Sequence, residues 1–597
     1  MVALLGVHAG LLLALIPRTF ITVDEAMGVA AGISYWRTGR FIVYRVNPPL
    51  AKMLAVLPAL AAQPETDFRN LRDSPHQRAE FQAGLNFTNL NRPRIFYLIC
   101  LSRLTGVIWS VLGGWICYRW TRQLYGGAAG CLALTLWCFE PYILGHAALA
   151  TTDVPATVAG LLASYLFWRY LRTPSWGRAG LAGVALGIAA LTKFTLLILF
   201  VLWPTLWAVR RMLDRGRTPW PLRIPIGQML LILVLSLEII NAGYGCQGTG
   251  QFLGDYQFMS RLLAGDQALM PGNRFRGTLL ASVPVPLPED FVRGIDVQRI
   301  DFEGNRLSYL AGTWSRGGWW YYYLYALAVK LPLGTLILSA WGSLAAFGPN
   351  RSIRRFDMIM PLSTAVTILA FISMQTGYTQ HSRYMMPALP YLMINAGQLV
   401  GDRSEPRKTW VTRLTWGLLL GTVLSSLWTY PHSLSYFNEA AGGPLRGHDH
   451  LVDSNIDWGQ DLLYLKEWQE AHPEARQLKL AYYNFQIDPG LVDLTSEPPP
   501  PGPQAISDGK PAGSQAIGPV PGYYAVSVNF LRGADFVIAD GRGGFRTTRP
   551  HEFEYFRAFR PIARAGYSIY IYHITPEQVD LERRRLGLAP LVRQEPQ

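Results

Sequence analysis

The chain has 597 residues, half of them hydrophobic and only 16% charged, with a formal net charge of +14 at pH 7 and a mean hydropathy of +0.15. That composition over that length excludes a disordered chain and an ordinary soluble domain, and it points to a polytopic membrane protein. The basic excess implies no nucleic-acid partner, because its distribution along the chain has a topological explanation.

In chain order, apolar runs fall at roughly 3–17, 94–117, 127–145, 154–168, 179–191, 194–209, 226–244, 319–345, 357–375, 385–400 and 412–430. They predict about eleven transmembrane helices, several shorter than the ~20 residues that cross ~30 Å of hydrocarbon. Between them the basic residues alternate. Arg119 and Arg122, then Arg169, Arg172 and Arg178, then Arg210, Arg211, Arg215, Arg217 and Arg223, then Arg351, Arg354 and Arg355, then Arg403, Arg407, Lys408 and Arg413 fall in every second connection. Because Lys and Arg collect on the cytoplasmic side, residues 18–93, 245–318 and everything after 430 are expected outside the cytoplasm. Arg18 departs from this pattern, and no Lys or Arg precedes the first run. A start upstream of Met1 would account for that. A cleaved signal peptide is disfavoured by the missing positive n-region and small-residue cleavage site.

The expected organisation is a membrane domain over 1–430 and an extracytoplasmic α/β domain over 431–597. In the first external segment, Ala26, Val29, Ala30, Ile33, Leu50, Met53, Leu54 and Leu57 recur at helical spacing and predict interfacial helices. The second external segment ends in Gly317-Gly318-Trp319-Trp320-Tyr321-Tyr322-Tyr323, an aromatic belt where a helix re-enters the bilayer. In the tail, Asp457 to Asp461 opens an amphipathic helix running to about Glu470, and alternating runs at 478–483, 523–528, 536–539 and 568–573 predict strands. The segment 497–521 is a Pro-, Gly- and Ser-rich loop, and the residues ending at Gln597 read as frayed. No internal repeat is visible, which argues against a transporter built from inverted halves. Cys100, Cys117, Cys131 and Cys138 lie in or beside apolar runs and Cys246 near the external face, so neither a disulfide framework nor a zinc spacing is implied.

Candidate chemistry lies in the external connections. Asp24 and Glu25 follow the first apolar run, and Asn47-Pro48-Pro49-Leu50-Ala51-Lys52 follows them. Thr22-Val23-Asp24-Glu25 fits a capping box, the plain structural account. The functional account is an acid and a lysine at the lip of a bilayer, the lysine brought by the Pro-Pro turn to a headgroup or else merely snorkelling. A phosphate leaving group needs a cation and an attacking hydroxyl needs a base. Asp153, in Thr152-Asp153-Val154-Pro155, is either helix punctuation or a second carboxylate on the same side. Lys193 and the pair Arg383 and Tyr384 sit at matching external levels, where an arginine fork suits a phosphate. Glu140 and Glu238 are candidate buried partners for these cations. The run 453–461 superficially resembles a calcium loop, but Trp458 stands where that loop needs Gly and Tyr464 where it needs Glu. It is read as a polar turn facing the membrane domain, with no metal role.

Taken together, Asp24-Glu25, Asn47 to Lys52, Thr152-Asp153-Val154-Pro155, Leu191-Thr192-Lys193-Phe194 and His381-Ser382-Arg383-Tyr384 resemble the motif set of the GT-C superfamily. The resemblance covers about residues 20–400 and is to bacterial family 39 glycosyltransferases, related to protein O-mannosyltransferases and the lipid A aminoarabinose transferase. It implies a GT-C membrane fold in the inner (plasma) membrane, with transfer of a sugar from a polyprenyl-phosphate donor to a protein, lipid or glycan acceptor. It assigns catalysis to Asp24, with Glu25 in support and Asp153 as a second carboxylate. Lys52 and Arg383 would bind the lipid phosphate, with Lys193 and Tyr384 beside them. No metal ligand is assigned, and a divalent ion is compatible with the family. The alternatives are a flippase or transporter of lipid-linked saccharides and a membrane anchor for an external binding domain.

Overall fold

The computed structural model describes residues 1–69, 73–74, 78–213, 223–265, 271–347, 352–400, 409–494, 496–503, 517–541 and 544–591. Arg215, Arg217, Arg351, Arg403, Arg407 and Lys408, the side chains of Arg354 and Arg355, most of the Pro-rich loop and the last six residues lie outside the described residues.

Helix α1 (Val2–Leu15) is followed, after a bend of 100°, by α2 (Val23–Thr38). The bend is set by a capping box in which Thr22 and Glu25 satisfy each other's backbone amides, and α2 ends at Gly39 in the left-handed region, φ 66°. Helices α3 (Leu50–Ala55), α4 (Leu57–Ala61) and α5 (Ala79–Leu90) complete the 18–93 connection, as its periodicity predicts. Helix α3 packs on α2 so closely that a Cβ at Gly32 would collide with the Lys52 carbonyl. Only glycine lets these two backbones meet.

The long helices follow: α6 (Ile95–Tyr125), α7 (Gly127–Cys138), α8 (Pro141–Ala147), α9 (Asp153–Arg172), α10 (Trp176–Ala190), α11 (Leu199–Leu213) and α12 (Arg223–Gly243). Trp120 on α6, with Tyr165 and Trp168 on α9 and Tyr391 beyond, forms an aromatic core in which ring centroids lie 5.8–6.1 Å apart. By length and composition, four described helices can cross a membrane: Ile95–Tyr125, Phe194–Leu213, Arg223–Gly243 and Phe356–Ser373. Two bent pairs, α1 with α2 and α7 with α8, bring the number to as many as six where each pair is counted as one span. The remaining apolar runs form shorter or less apolar helices such as Trp176–Ala190 and Leu333–Ala345.

Beyond residue 430 the tail builds a five-stranded sheet in the order β4 (Ser496–Glu497), β3 (Leu478–Ala481), β5 (Gly522–Ser527), β9 (Ile569–Ile574) and β8 (Ala563–Ala565). Strand β3 runs parallel to β4 and β5, and β9 antiparallel to β5 and β8. Two hairpins stand apart, β1 (Leu307–Leu310) with β2 (Thr313–Arg316) and β6 (Val537–Ala539) with β7 (Phe545–Thr547). The expected strands are therefore present within one or two residues. The expected helix begins later, at Leu462 instead of Asp457, because Asp453 and Gly459 both take positive φ, 64° and 91°, and turn 453–461 into a knot of tight turns.

That knot is inserted into the membrane-side half. Phe20 N–H donates to Gln460 O at 2.8 Å, Val23 N–H to Trp458 O at 3.2 Å, and Asn484 Nδ2 to Ile21 O at 3.0 Å. Buried apolar residues from both sides of residue 430 pack in the same clusters. The two halves are therefore joined through a shared interior.

Candidate active site

Glu25 lies in the first turn of α2 and points away from solvent. It is fully buried with Arg103 of α6, Arg103 Nη2 to Glu25 Oε2 at 2.6 Å. Glu25 also accepts from Arg103 Nε at 2.7 Å, Ala150 N–H at 2.9 Å, Thr22 N–H at 2.9 Å and Thr22 Oγ1 at 3.0 Å. Arg103 spends its other donors on the carbonyls of Ile16, Thr19 and Phe20. A carboxylate with five donors has no capacity left for a reacting group. Glu25 is absent from the cavity wall and acts as a lock: it fixes the start of α2, and so aims Asp24 the other way.

Asp24 faces a cavity of about 700 Å³, whose wall includes Asp24, Lys52, Asp153, Lys193, Arg383 and Tyr384. Six of the seven sequence-derived residues thus share one chamber. Arg383 is the hub. Its Nη2 donates to Asp24 Oδ2 at 3.0 Å and its Nη1 to Ser454 Oγ at 2.7 Å, while Nε lies 3.8 Å from Asp153 Oδ2. The guanidinium lies 4.3 Å from the centroid of the Trp458 ring, which holds its plane. Lys193 Nζ donates to Asp153 Oδ1 at 2.6 Å and sits 4.6 Å from the Tyr384 ring centroid.

The two cavity carboxylates are therefore unequal. Asp153 is 4% exposed and held by Lys193; Asp24 is 28% exposed and open to the chamber. Burial pushes the Asp24 carboxyl above its ordinary value, against the pull of the Arg383 guanidinium. Lys52 does not snorkel, nor does the Pro-Pro turn extend it outward. The turn folds back, and Lys52 Nζ, 4% exposed as a residue, donates to the carbonyls of Asn47 at 2.7 Å and Pro48 at 3.1 Å. Burial lowers its pKa to about 7. An ammonium has three N–H bonds, so this arrangement leaves one donor for a ligand.

Residues to which the sequence reading gave no role complete the wall. His381 Nδ1 lies 2.9 Å from Ser454 Oγ and 3.4 Å from Asp453 Oδ1, and its Nε2 lies 3.0 Å from the Tyr378 hydroxyl. Asp453 Oδ2 accepts from the Tyr483 hydroxyl at 2.9 Å. Further along, Arg78 Nη1 and Arg306 Nη2 both donate to Asp301 Oδ1 at 3.0 Å. Asp457, in contrast, lies outside the cavity wall, buried against Ser527 and the Gly459 amide, and burial raises its pKa to about 7. Glu140 is buried near Lys330 and not near the cavity cations, and Glu238 is exposed on α12. Neither partners Lys193 or Arg383. Among the described residues, no group of three or more His, Cys, Asp or Glu side chains could hold a metal ion.

Residues 100–237 match the family model described as dolichyl-phosphate-mannose-protein mannosyltransferase. The matched stretch holds Arg103 of the lock and Asp153 and Lys193 of the cavity. No curated protein sequence matches the chain. Among solved structures it is similar to ArnT from Cupriavidus metallidurans in the apo state, at 14% identity and TM-score 0.44, covering 96% of this chain and 97% of that one. It is also similar to oligosaccharyltransferase AglB from Archaeoglobus fulgidus, at 10% identity and TM-score 0.41, over 92% and 74%. The Pmt1-Pmt2 complex of S. cerevisiae aligns at 19% identity and TM-score 0.31, over 40% and 32%. Over residues 100–237, less than a quarter of its length, the chain resembles the dolichyl-phosphate-mannose-protein mannosyltransferases.

Proposed function

We propose that the chain transfers a sugar from a polyprenyl-phosphate donor to an acceptor hydroxyl at the extracytoplasmic face of the inner membrane, with inversion at the anomeric carbon. The observation that carries this reading is the convergence of Asp24, Lys52 and Arg383 on one chamber. Asp24 is the base. It is the more exposed carboxylate, raised by burial, while Asp153 is neutralised by Lys193 and orients Arg383.

In the reaction, the acceptor oxygen forms its bond to the anomeric carbon as the carbon–oxygen bond to phosphate breaks. The hydroxyl proton goes to Asp24 and the bonding pair to the departing phosphate. A single displacement requires no sugar–enzyme intermediate. The Lys52 ammonium and the Arg383 N–H groups not used by Asp24 and Ser454 meet the charge that grows on the phosphate. The reading extends to a membrane domain of about eleven spans over 1–430, with the tail outside the cytoplasm and closing the chamber from above. The acceptor is a protein, lipid or glycan hydroxyl.

A flippase would need the cations but no base, and the family match does not favour it. The test is a radiolabelled polyprenyl-phosphate sugar incubated with the purified protein and envelope acceptors. Release of free polyprenyl phosphate supports transfer, and binding without release at any acceptor would refute it.

A further inference from the structure

A second concavity, of about 730 Å³, is lined by residues of the tail and shares none of its described lining residues with the chamber. Its wall includes His432, Tyr464, Glu467, Trp468, Arg564 and Tyr567, with the apolar segment Pro561, Ile562 and Ala563 beside them. Nothing in the proposed reaction uses these groups.

The groove is pre-shaped. His432 lies between two rings, 4.7 Å from Tyr464 and 5.4 Å from Tyr567 by centroid, the latter edge-on at 88°. Its Nδ1 is 3.4 Å from Asp461 Oδ1, and Asp461 Oδ2 accepts the backbone N–H groups of Tyr567 and Ser568 at 3.2 Å. Asp461 is 2% exposed, so a buried carboxylate ties the helix Leu462–Ala471 to the turn between β8 and β9. Trp468 is fixed by His472, stacked at 4.4 Å. Arg564 lies over Tyr567 at 5.7 Å.

This wall selects among ligand chemistries. A phosphate headgroup needs converging cations, yet the described lining holds a single guanidinium, Arg564, and an exposed carboxylate, Glu467, shares the wall. A hydrocarbon chain would strand His432, Glu467 and Arg564 away from water. A pyranose fits both halves of the wall: its C–H faces carry partial positive charge that stacks on the negative faces of Tyr and Trp, and its hydroxyls donate to a carboxylate and accept from a guanidinium.

We propose that this groove is a non-catalytic binding site for a neutral saccharide, separate from the transfer chamber. The site holds a sugar ring against Trp468 and Tyr464, with hydroxyls on Glu467 and Arg564.

The test reads binding and not turnover, so its outcome is independent of the transfer reaction. Saturation-transfer NMR is recorded on the full chain in detergent with mannotriose, cellotriose or N-acetylchitotriose, each up to ~10 mM, a range that detects Kd values near 1 mM. At least one saccharide is expected to bind, to bind D24N equally, and to weaken by about tenfold or more in W468A, as loss of one stacking ring predicts. Y464A replaces W468A should that variant not fold. Absence of a saturation-transfer signal for all three saccharides would overturn the proposal. So would binding that survives both ring substitutions, which would place the sugar in the chamber, or displacement by inorganic phosphate at equal concentration, which would make the groove an anion site.

Discussion

The floor of the chamber and the lock behind it start one residue apart, at Asp24 and Glu25, and use the same chemical group in opposite ways. Glu25 accepts five hydrogen bonds in a fully buried pair with Arg103, whereas Asp24 accepts one from Arg383 and is open to 700 Å³ of space. Saturation makes a carboxylate structural; a vacant lone pair beside a cation makes it reactive. The helical rotation of 100° between neighbours is enough to separate the roles.

The largest way to break this comparison is at Asp24. D24N should lower transfer by about 10²- to 10⁴-fold, the range for a general base, while thermal stability stays at the wild-type value, as measured by release of labelled polyprenyl phosphate and by a melting curve. E25A should do the reverse. Removing one member of a buried pair leaves Arg103 uncompensated and costs about 3–5 kcal/mol of stability. The melting temperature and yield fall, and the folded fraction still turns over; a stable E25A with no turnover would show that Glu25 takes part in the chemistry.

Next in size is the pH profile. Asp24 must be deprotonated to act, and its raised pKa means that activity falls as pH drops through that value. Lys52 must be protonated to meet phosphate, and with a pKa lowered to about 7 it loses its charge as pH rises through neutrality. kcat/KM should therefore be bell-shaped, with an alkaline limb absent from K52R and donor KM raised about 10- to 100-fold in K52M, as loss of a charged hydrogen bond predicts. A profile flat from pH 6 to 9 would remove Lys52 from donor binding. The smallest effect is expected at Ser454, a positioning residue. S454A should lower kcat/KM about fivefold, near 1 kcal/mol for one hydrogen bond to Arg383, with S454T restoring it and no change in melting temperature.

Much of the chamber wall was legible in the sequence, because Asp24, Lys52, Asp153, Lys193, Arg383 and Tyr384 all lie in or beside connections on one side of the alternating charge pattern. Glu25 was assigned to the chemistry because adjacency in sequence says nothing of rotation about a helix. The capping box that Thr22 and Glu25 spell was the available signal for its structural role. The contribution of 453–458 was harder to see. Ser454 and Asp453 reach His381 and Arg383 across about 70 residues of chain, and no local pattern encodes such a contact. The polar run stood out, but two positive-φ residues that delay the helix to Leu462 also aim its side chains into the chamber. The strands of the tail lie within one or two residues of where the sequence places them, whereas four described helices, or up to six with the bent pairs, are long and apolar enough to cross a membrane, against about eleven expected. The number of crossings depends on broken pairs such as α1 with α2, where a 100° bend at a cap turns an apolar run aside.

The most direct measurement is single turnover of a labelled polyprenyl-phosphate sugar by wild type, D24N and K52M in parallel with donor binding. If the chamber performs the transfer, D24N binds donor as wild type does and fails to release lipid phosphate, while K52M binds weakly. Turnover by D24N at the wild-type rate, or donor binding untouched in K52M, would contradict the account.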